Sequence, residues 1–190
     1  MTSIEDEKSR YICVDIETAG PIPGEYAMLS IGACTIGSPR RTFYVELQPD
    51  RDRTEPQSMA VHHLDMQTLR QDGYAPRDAL EAFRDWLAMV LPEGQTPLFV
   101  AFNAPFDWMF IHDYFTRYLG ENPFGHSALD IKALYMGYSG KPWAETSGKF
   151  LHRIYNEDKS LSHNALQDAI DQAVILEGIL ADMEKGTVST

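Results

Sequence analysis

Cysteine is nearly absent. Only Cys13 and Cys34 occur in 190 residues, which excludes a disulfide framework and a cysteine-built metal cage. Each lies in an apolar run that reads as strand, so both are expected to be packing residues, and neither is a catalytic candidate. Long hydrophobic runs are missing as well. No uninterrupted apolar stretch reaches the 18 or so residues of a membrane span, and the first ten residues, MTSIEDEKSR, have neither the basic start nor the greasy stretch of an export signal. A soluble cytoplasmic protein without a membrane partner is the expectation. Positive charge is scarce: 16 Lys and Arg stand against 28 Asp and Glu, a net charge of −12. Phosphate backbones are gripped through lysines and arginines that displace counterions, so a long basic groove is excluded. Strong acidity suits a site for divalent cations or a short, locally bound substrate, and it is also what an ordinary solvated acidic surface gives.

What is present is enough for one sizeable core: 190 residues, 44% of them apolar. One domain over residues 10–182 is expected, with short polar termini at 1–9 and 183–190. YICVDIETAG (11–20) reads as a strand, and AMLSIGACTIG and RTFYVELQPD complete a three-stranded meander. PQSMAVHHLDMQTLRQ predicts one short helix, and PRDALEAFRDWLAMVL a longer one with Leu80, Phe83, Leu87 and Val90 at helical spacing. TPLFVAFNA is a short apolar strand, as in sheets covered by helices on both faces. It runs into the helix PFDWMFIHDYFTRYLG, with Phe106, Phe110 and Tyr114 on one stripe. SALDIKALYMG fits strand or helix, and residues 139–160 are polar apart from a helical turn at KFLHRIY. The last helix carries Leu166, Ile170, Ala173, Leu176 and Leu180 on one side, with Asn164 and Gln167 spaced as a capping box. The fold class is therefore α/β: a mixed sheet, antiparallel meander plus parallel strands, with helices on both faces.

Acids occupy unexpected places in this pattern. Asp15 and Glu17 alternate with apolar residues, so they share a strand face with Cα atoms roughly 6.5 to 7 Å apart. Burying two bare carboxylates that close costs several kcal/mol unless cations or donors compensate. A hard divalent cation that prefers carboxylate oxygens would compensate; for a D-x-E standing alone, a strand end where both acids simply reach solvent is the favoured explanation. Asp107 falls within one turn of a helix start after an apolar strand, where α/β sheets commonly build sites, although an acid there also favours the helix dipole. His163 and Asp168 are five residues apart, about 140° around a helix, and would not share a face if both were helical. A cap at Asn164 instead leaves His163 on the loop, free to swing over Asp168, and histidine takes a proton near neutral pH.

In this order and spacing, VDIETAG, FNAPFD and HNALQDA resemble the three motifs of the DEDD exonucleases of the His subtype, a ribonuclease H-like family that includes polymerase proofreading subunits, ribonuclease T and oligoribonuclease. YVELQPD, AVHHLD and ALDIKAL resemble the connecting segments, so the likeness runs from about residue 11 to 176. Phe102 and His63 depart from the His and Gly common at those places. The resemblance implies a ribonuclease H-like fold and a 3′-5′ exonuclease that releases nucleoside 5′-monophosphates from single-stranded DNA, RNA or short oligonucleotide 3′ ends. It implies two ions, Mg²⁺ or Mn²⁺: Asp15 on both, Glu17 and Asp168 on the one that activates water, Asp107 on the other, and His163 as the base. It further implies Met28 or Leu29 as a wedge against terminal bases, Phe106 as a stacking face and His62 as a substrate contact; core packing or a helix surface would explain each as well. Asp130 is similar to an acid that stands beside the site without ligating. Lys141, Lys149, Arg153 and Lys159 make residues 139–160 less acidic than the rest and are candidate phosphate contacts. Homodimers occur among such relatives, and a polymerase or repair partner would suit a proofreading subunit. A non-catalytic binding module on the same fold would be expected to lack a metal ligand, and none is missing.

Overall fold

The structure is a computed structural model and describes residues 7–156 and 163–186. Five strands form one mixed sheet in the order β3-β2-β1-β4-β5. These are β1 (Tyr11–Thr18), β2 (Met28–Thr35), β3 (Thr42–Glu46), β4 (Leu98–Ala101) and β5 (Ala128–Asp130). β1 to β3 are the antiparallel meander, while β4 and β5 run parallel to β1. The carboxyl ends of β1, β4 and β5 therefore reach the same edge of the sheet, where α/β folds place their sites.

Strand alternation sends the two faces of the sheet to different helices. Ile12, Val14 and Ile16 of β1, with Ala33 and Phe99, pack under α3 (Pro76–Val90) and α4 (Pro105–Leu119). Leu80, Phe83 and Leu87 are buried there, and the Phe83 ring stacks on Phe43 with centroids 4.9 Å apart. Cys13, Cys34 and Val100 point the other way, against α5 (Ile131–Ser139), α6 (Gly148–Tyr155) and α7 (Ala165–Lys185). Both cysteines are free and fully buried. Because the period is two, Asp15 and Glu17 share the Cys13 face and look toward α7.

The register makes room for that helix. Gly32 pairs with Asp15 across the β1–β2 ladder, and a Cβ there would stand 2.1 Å from the carbonyl carbon of Ala165. Only a residue without a side chain lets the start of α7 lie directly on β2. One step on, the ladder slips: Glu17 pairs with Ser30 but Thr18 with Met28, leaving Leu29 as a bulge. Bulges commonly end regular pairing beside a site.

The structure departs from the sequence reading in several places. The segment expected as one short helix is two, α1 (Pro56–His62) and α2 (Met66–Asp72). His63 adopts φ 59°, which closes α1, and the Asp65 carboxylate accepts the Thr68 N–H at 2.8 Å, which caps α2. SALDIKALYMG, readable either way, is both the three-residue β5 and α5, divided by Asp130. Of the expected stripe on α7, Leu166 and Ile170 are only half-buried, and the buried face includes Asp168, Asp171 and Gln172. The inward stripe carries polar side chains, which displaced the apparent apolar periodicity. Asn164 caps α7 through the Gln167 N–H at 3.2 Å, but the Gln167 side chain donates to Asp171 at 3.0 Å in place of the reciprocal half of a capping box. Among the described residues no helix is long and apolar enough to cross a membrane.

Candidate active site

A cleft of about 350 Å³ opens at the carboxyl edge of the sheet and is lined by Asp15, Glu17, Asp107, His163 and Asp168 together. Each arrives from a different local cause. β1 presents Asp15 and Glu17 on one face, and the first turns of α7 lower Asp168 onto them. One carboxylate oxygen from each of these three lies within 4.8 Å of the others. Asp107 comes from the first turn of α4, after a tight strand-to-helix turn. Asn103 takes φ 65° there, a conformation asparagine tolerates, and Pro105 opens the helix. Ile16 lies beyond the last residue paired with β4, and its N–H donates to Asp107 Oδ1 at 3.1 Å instead. His163 stands exposed before the α7 cap at φ 53°.

Two side chains organise the rest. Asp130 accepts the Ala104 N–H at 2.6 Å and the Ala133 N–H at 2.7 Å, so it ties the Asn103 turn to the start of α5. Gln172 was missed by sequence reasoning. Its amide nitrogen donates to Asp15 Oδ1 at 2.7 Å, and its oxygen accepts the Phe102 N–H at 3.0 Å. No motif marks it; the only signal is its place four residues after Asp168, on the same helix face. His152, buried on α6 and also lining the cleft, was likewise not singled out.

The residues expected to touch substrate are distributed unevenly. Phe106 is half-buried and lines both the cleft and a smaller adjoining pocket of about 200 Å³. His62 lines that smaller pocket but is buried: its Nδ1 accepts the Leu64 N–H at 3.1 Å, so Nε2 carries the proton that faces the Thr18 carbonyl at 3.2 Å. Burial holds its pKa below the usual histidine value. Met28 and Leu29 do not reach the cleft. Both are fully buried, Met28 in the main core and Leu29, turned by the bulge, against Ala19, Tyr26 and Leu69. The structure thus corrects the expected wedge: these two side chains pack the interior. Lys149 lines the cleft, while Lys159 lies outside the described residues.

The acids carry the electrostatic signature of a cation site. Burial, then repulsion from Asp107, Glu17 and Asp168, pushes the Asp15 pKa well above the carboxylate range. Burial and Asp168 raise Glu17 to about 7. Burial raises Asp107 to about 8, against hydrogen bonds from its own and the Ile16 backbone N–H. An all-carboxylate donor set that repels itself fits a hard divalent cation, which lowers the repulsion and is bound through oxygen.

Groups whose folded pKa lies above the unfolded value, about 4 for a carboxyl, bind protons more tightly in the folded state. The stability of the ion-free protein therefore falls as pH rises from about 4 through about 7 and 8. Bound cations remove that penalty, so the rise in Tm on adding Mn²⁺ or Mg²⁺ to chelator-treated protein is expected to be larger at pH 8 than at pH 6. Differential scanning fluorimetry at the two pH values measures it, and equal rises would contradict the assignment.

A family model described as the 3′-5′ exoribonuclease Rv2179c-like domain matches residues 10–180. The chain is 44% identical over 167 residues to the 3′-5′ DNA exonuclease Cap18 of Escherichia coli, covering 88% of this chain and 89% of that protein. Its fold is similar to the nuclease domain of 3′hExo, described as a DEDDh family member bound to rAMP (TM-score 0.73, 12% identity, 95% of this chain and 94% of that one). It is equally similar to a full-length 3′-exonuclease (TM-score 0.73, 12% identity), of which it covers 62% while 94% of this chain is matched. The chain belongs to the Rv2179c-like 3′-5′ exoribonuclease domain family and is a 3′-5′ exonuclease acting on nucleic-acid 3′ ends, on a ribonuclease H-like fold.

Proposed function

We propose that residues 10–182 form one domain that hydrolyses the terminal phosphodiester of single-stranded DNA, RNA or short oligonucleotides from the 3′ end, releasing nucleoside 5′-monophosphates in a reaction that requires two divalent ions. The observation that carries this reading is the convergence of Asp15, Glu17 and Asp168, with Asp107 and His163, on one cleft. The family description names RNA and the 44%-identical relative names DNA, and the proposal takes in both.

Asp15, Glu17, Asp168 and Asp107 would hold the ions, with Asp15 central because it faces the other three. When bound, such a pair stabilises the attacking and leaving oxygens of an in-line displacement at phosphorus. The chain's own residues supply position and proton transfer. Gln172 fixes the Asp15 carboxylate, and the Ile16 N–H fixes Asp107. His163 stands exposed at the mouth, where its imidazole accepts the proton of the attacking water. Phe106 offers a stacking face for the terminal base. Neutral His62 acts through the Thr18 carbonyl, which it holds at the end of β1.

The test incubates purified protein with 3′-hydroxyl DNA and RNA oligonucleotides in Mn²⁺, in Mg²⁺ and in EDTA. Stepwise monophosphate release that ceases in EDTA is expected. Intact oligonucleotides under every metal condition would sink the reading and favour a binding module.

A further inference from the structure

We propose that Trp143 and Lys132 form a second holding point for the nucleic-acid strand, outside the metal cleft and reached from it across Phe102. The inference rests on the exonuclease reading above and extends it to substrate length. Trp143 sits on a short 3₁₀ turn (Trp143–Glu145) after α5 and is 50% exposed. An exposed tryptophan alone would mean little. This one carries the Lys132 ammonium 4.1 Å above its ring, well within cation–π range. The same ammonium lies 5.9 Å from the centroid of Phe102, which lines the cleft and whose N–H is bound by Gln172. Phe102 is also where the second motif departs from its usual histidine. A continuous path of aromatic and cationic groups thus leads from the acids outward.

Charge selects the occupant. Residues 131–156 hold Lys132, Lys141, Lys149 and Arg153 against one acid, Glu145, in a chain whose net charge is −12. Glu145 is itself paired with Lys141 at 3.5 Å. A locally cationic strip with an open indole, beside a cleft that takes a phosphodiester, matches a strand whose bases stack and whose phosphates meet lysines. The indole stacks a base upstream of the terminal one, and Lys132 contacts the adjacent phosphate.

Binding measured in EDTA separates this from catalysis. Fluorescence anisotropy with a single-stranded decamer and a dinucleotide is expected to show Trp143→Ala weakening the decamer about tenfold and the dinucleotide less than twofold. Trp143→Phe retains most of the decamer affinity, and Lys132→Gln lowers the salt slope by about one. Tyr74→Ala, at a still more exposed aromatic on the β3 side, leaves both unchanged. Decamer affinity unaltered in Trp143→Ala, or both lengths weakened alike, overturns the proposal. A parent protein that binds the decamer through Trp143 yet hydrolyses no oligonucleotide with metal would overturn the exonuclease reading and leave the holding point standing.

Discussion

Replacing Asp15 by asparagine is expected to lower kcat at least about a thousandfold, about 4 kcal/mol of transition-state stabilisation, while making the ion-free protein more stable. The two effects have one cause. Asp15 is half-buried, faces Glu17, Asp107 and Asp168, and among the described residues has one hydrogen-bond donor, Gln172, against three repelling carboxylates. The amide oxygen of an asparagine still accepts from Gln172, so the packing survives while the repulsion disappears. Removing such a charge stabilises by about 1 kcal/mol, or roughly 2 to 4 °C in Tm for a chain of this size. The Tm rise caused by Mn²⁺ should shrink in step. Activity would be followed by single-turnover hydrolysis of a 3′-labelled oligonucleotide and stability by thermal melts in EDTA. Activity within tenfold of the parent would remove Asp15 from the centre of the mechanism. A lower Tm in EDTA would mean that the carboxylate serves the fold.

The second large effect is expected at a residue that carries neither charge nor side chain, opposite Asp15 on the neighbouring strand. Gly32→Ala should destabilise by about 3 kcal/mol or more and lower activity at least a hundredfold in the molecules that still fold. The added methyl would meet the Ala165 carbonyl carbon at 2.1 Å and the Leu166 nitrogen at 2.2 Å. Those are backbone atoms of the first turn of α7, with no rotamer to yield, so the helix start must lift from β2. Asp168 sits in that turn and His163 just before it, so both would move away from Asp15. Gly137→Ala is the control: a Cβ there meets nothing within 4 Å, and alanine favours the interior of α5 by up to about 1 kcal/mol. Urea melts with activity assays on both variants decide the matter. A Gly32→Ala protein with parental Tm and rate would show that the start of α7 does not lie directly on β2.

Much of the site was legible because the chemistry is local. The D-x-E of β1 reads directly from a period of two, and the cap at Asn164 separates His163 from Asp168. The alternation that marks β1 as half apolar also fixes that its acids share a face. Other features were hidden by mixed signals. His63 and Asp65 break one apparent helix into two because a left-handed histidine and a capping aspartate look like ordinary polar helix residues in sequence. Met28 and Leu29 followed the first motif closely enough to suggest a wedge, but burial inside β2 and its bulge is a property of pairing. Gln172 carries no motif, since one glutamine on a helix becomes a carboxylate donor only when β1 lies beneath it.

The sequence by itself determined the types and local directions of the reactive groups: which residues are acids, which strand face or helix turn each occupies, and that the chain has too few cations for a long basic groove. Such properties follow from residue chemistry and from the periods of strands and helices, which need no distant partner. Only the tertiary structure decided that β1, β4 and β5 end at one edge, that Gly32 admits α7 against Asp15, and that Phe102, Lys132 and Trp143 line up beside the cleft. These depend on which surfaces meet across long stretches of chain, and that is set by the packing of whole elements, which no short segment encodes.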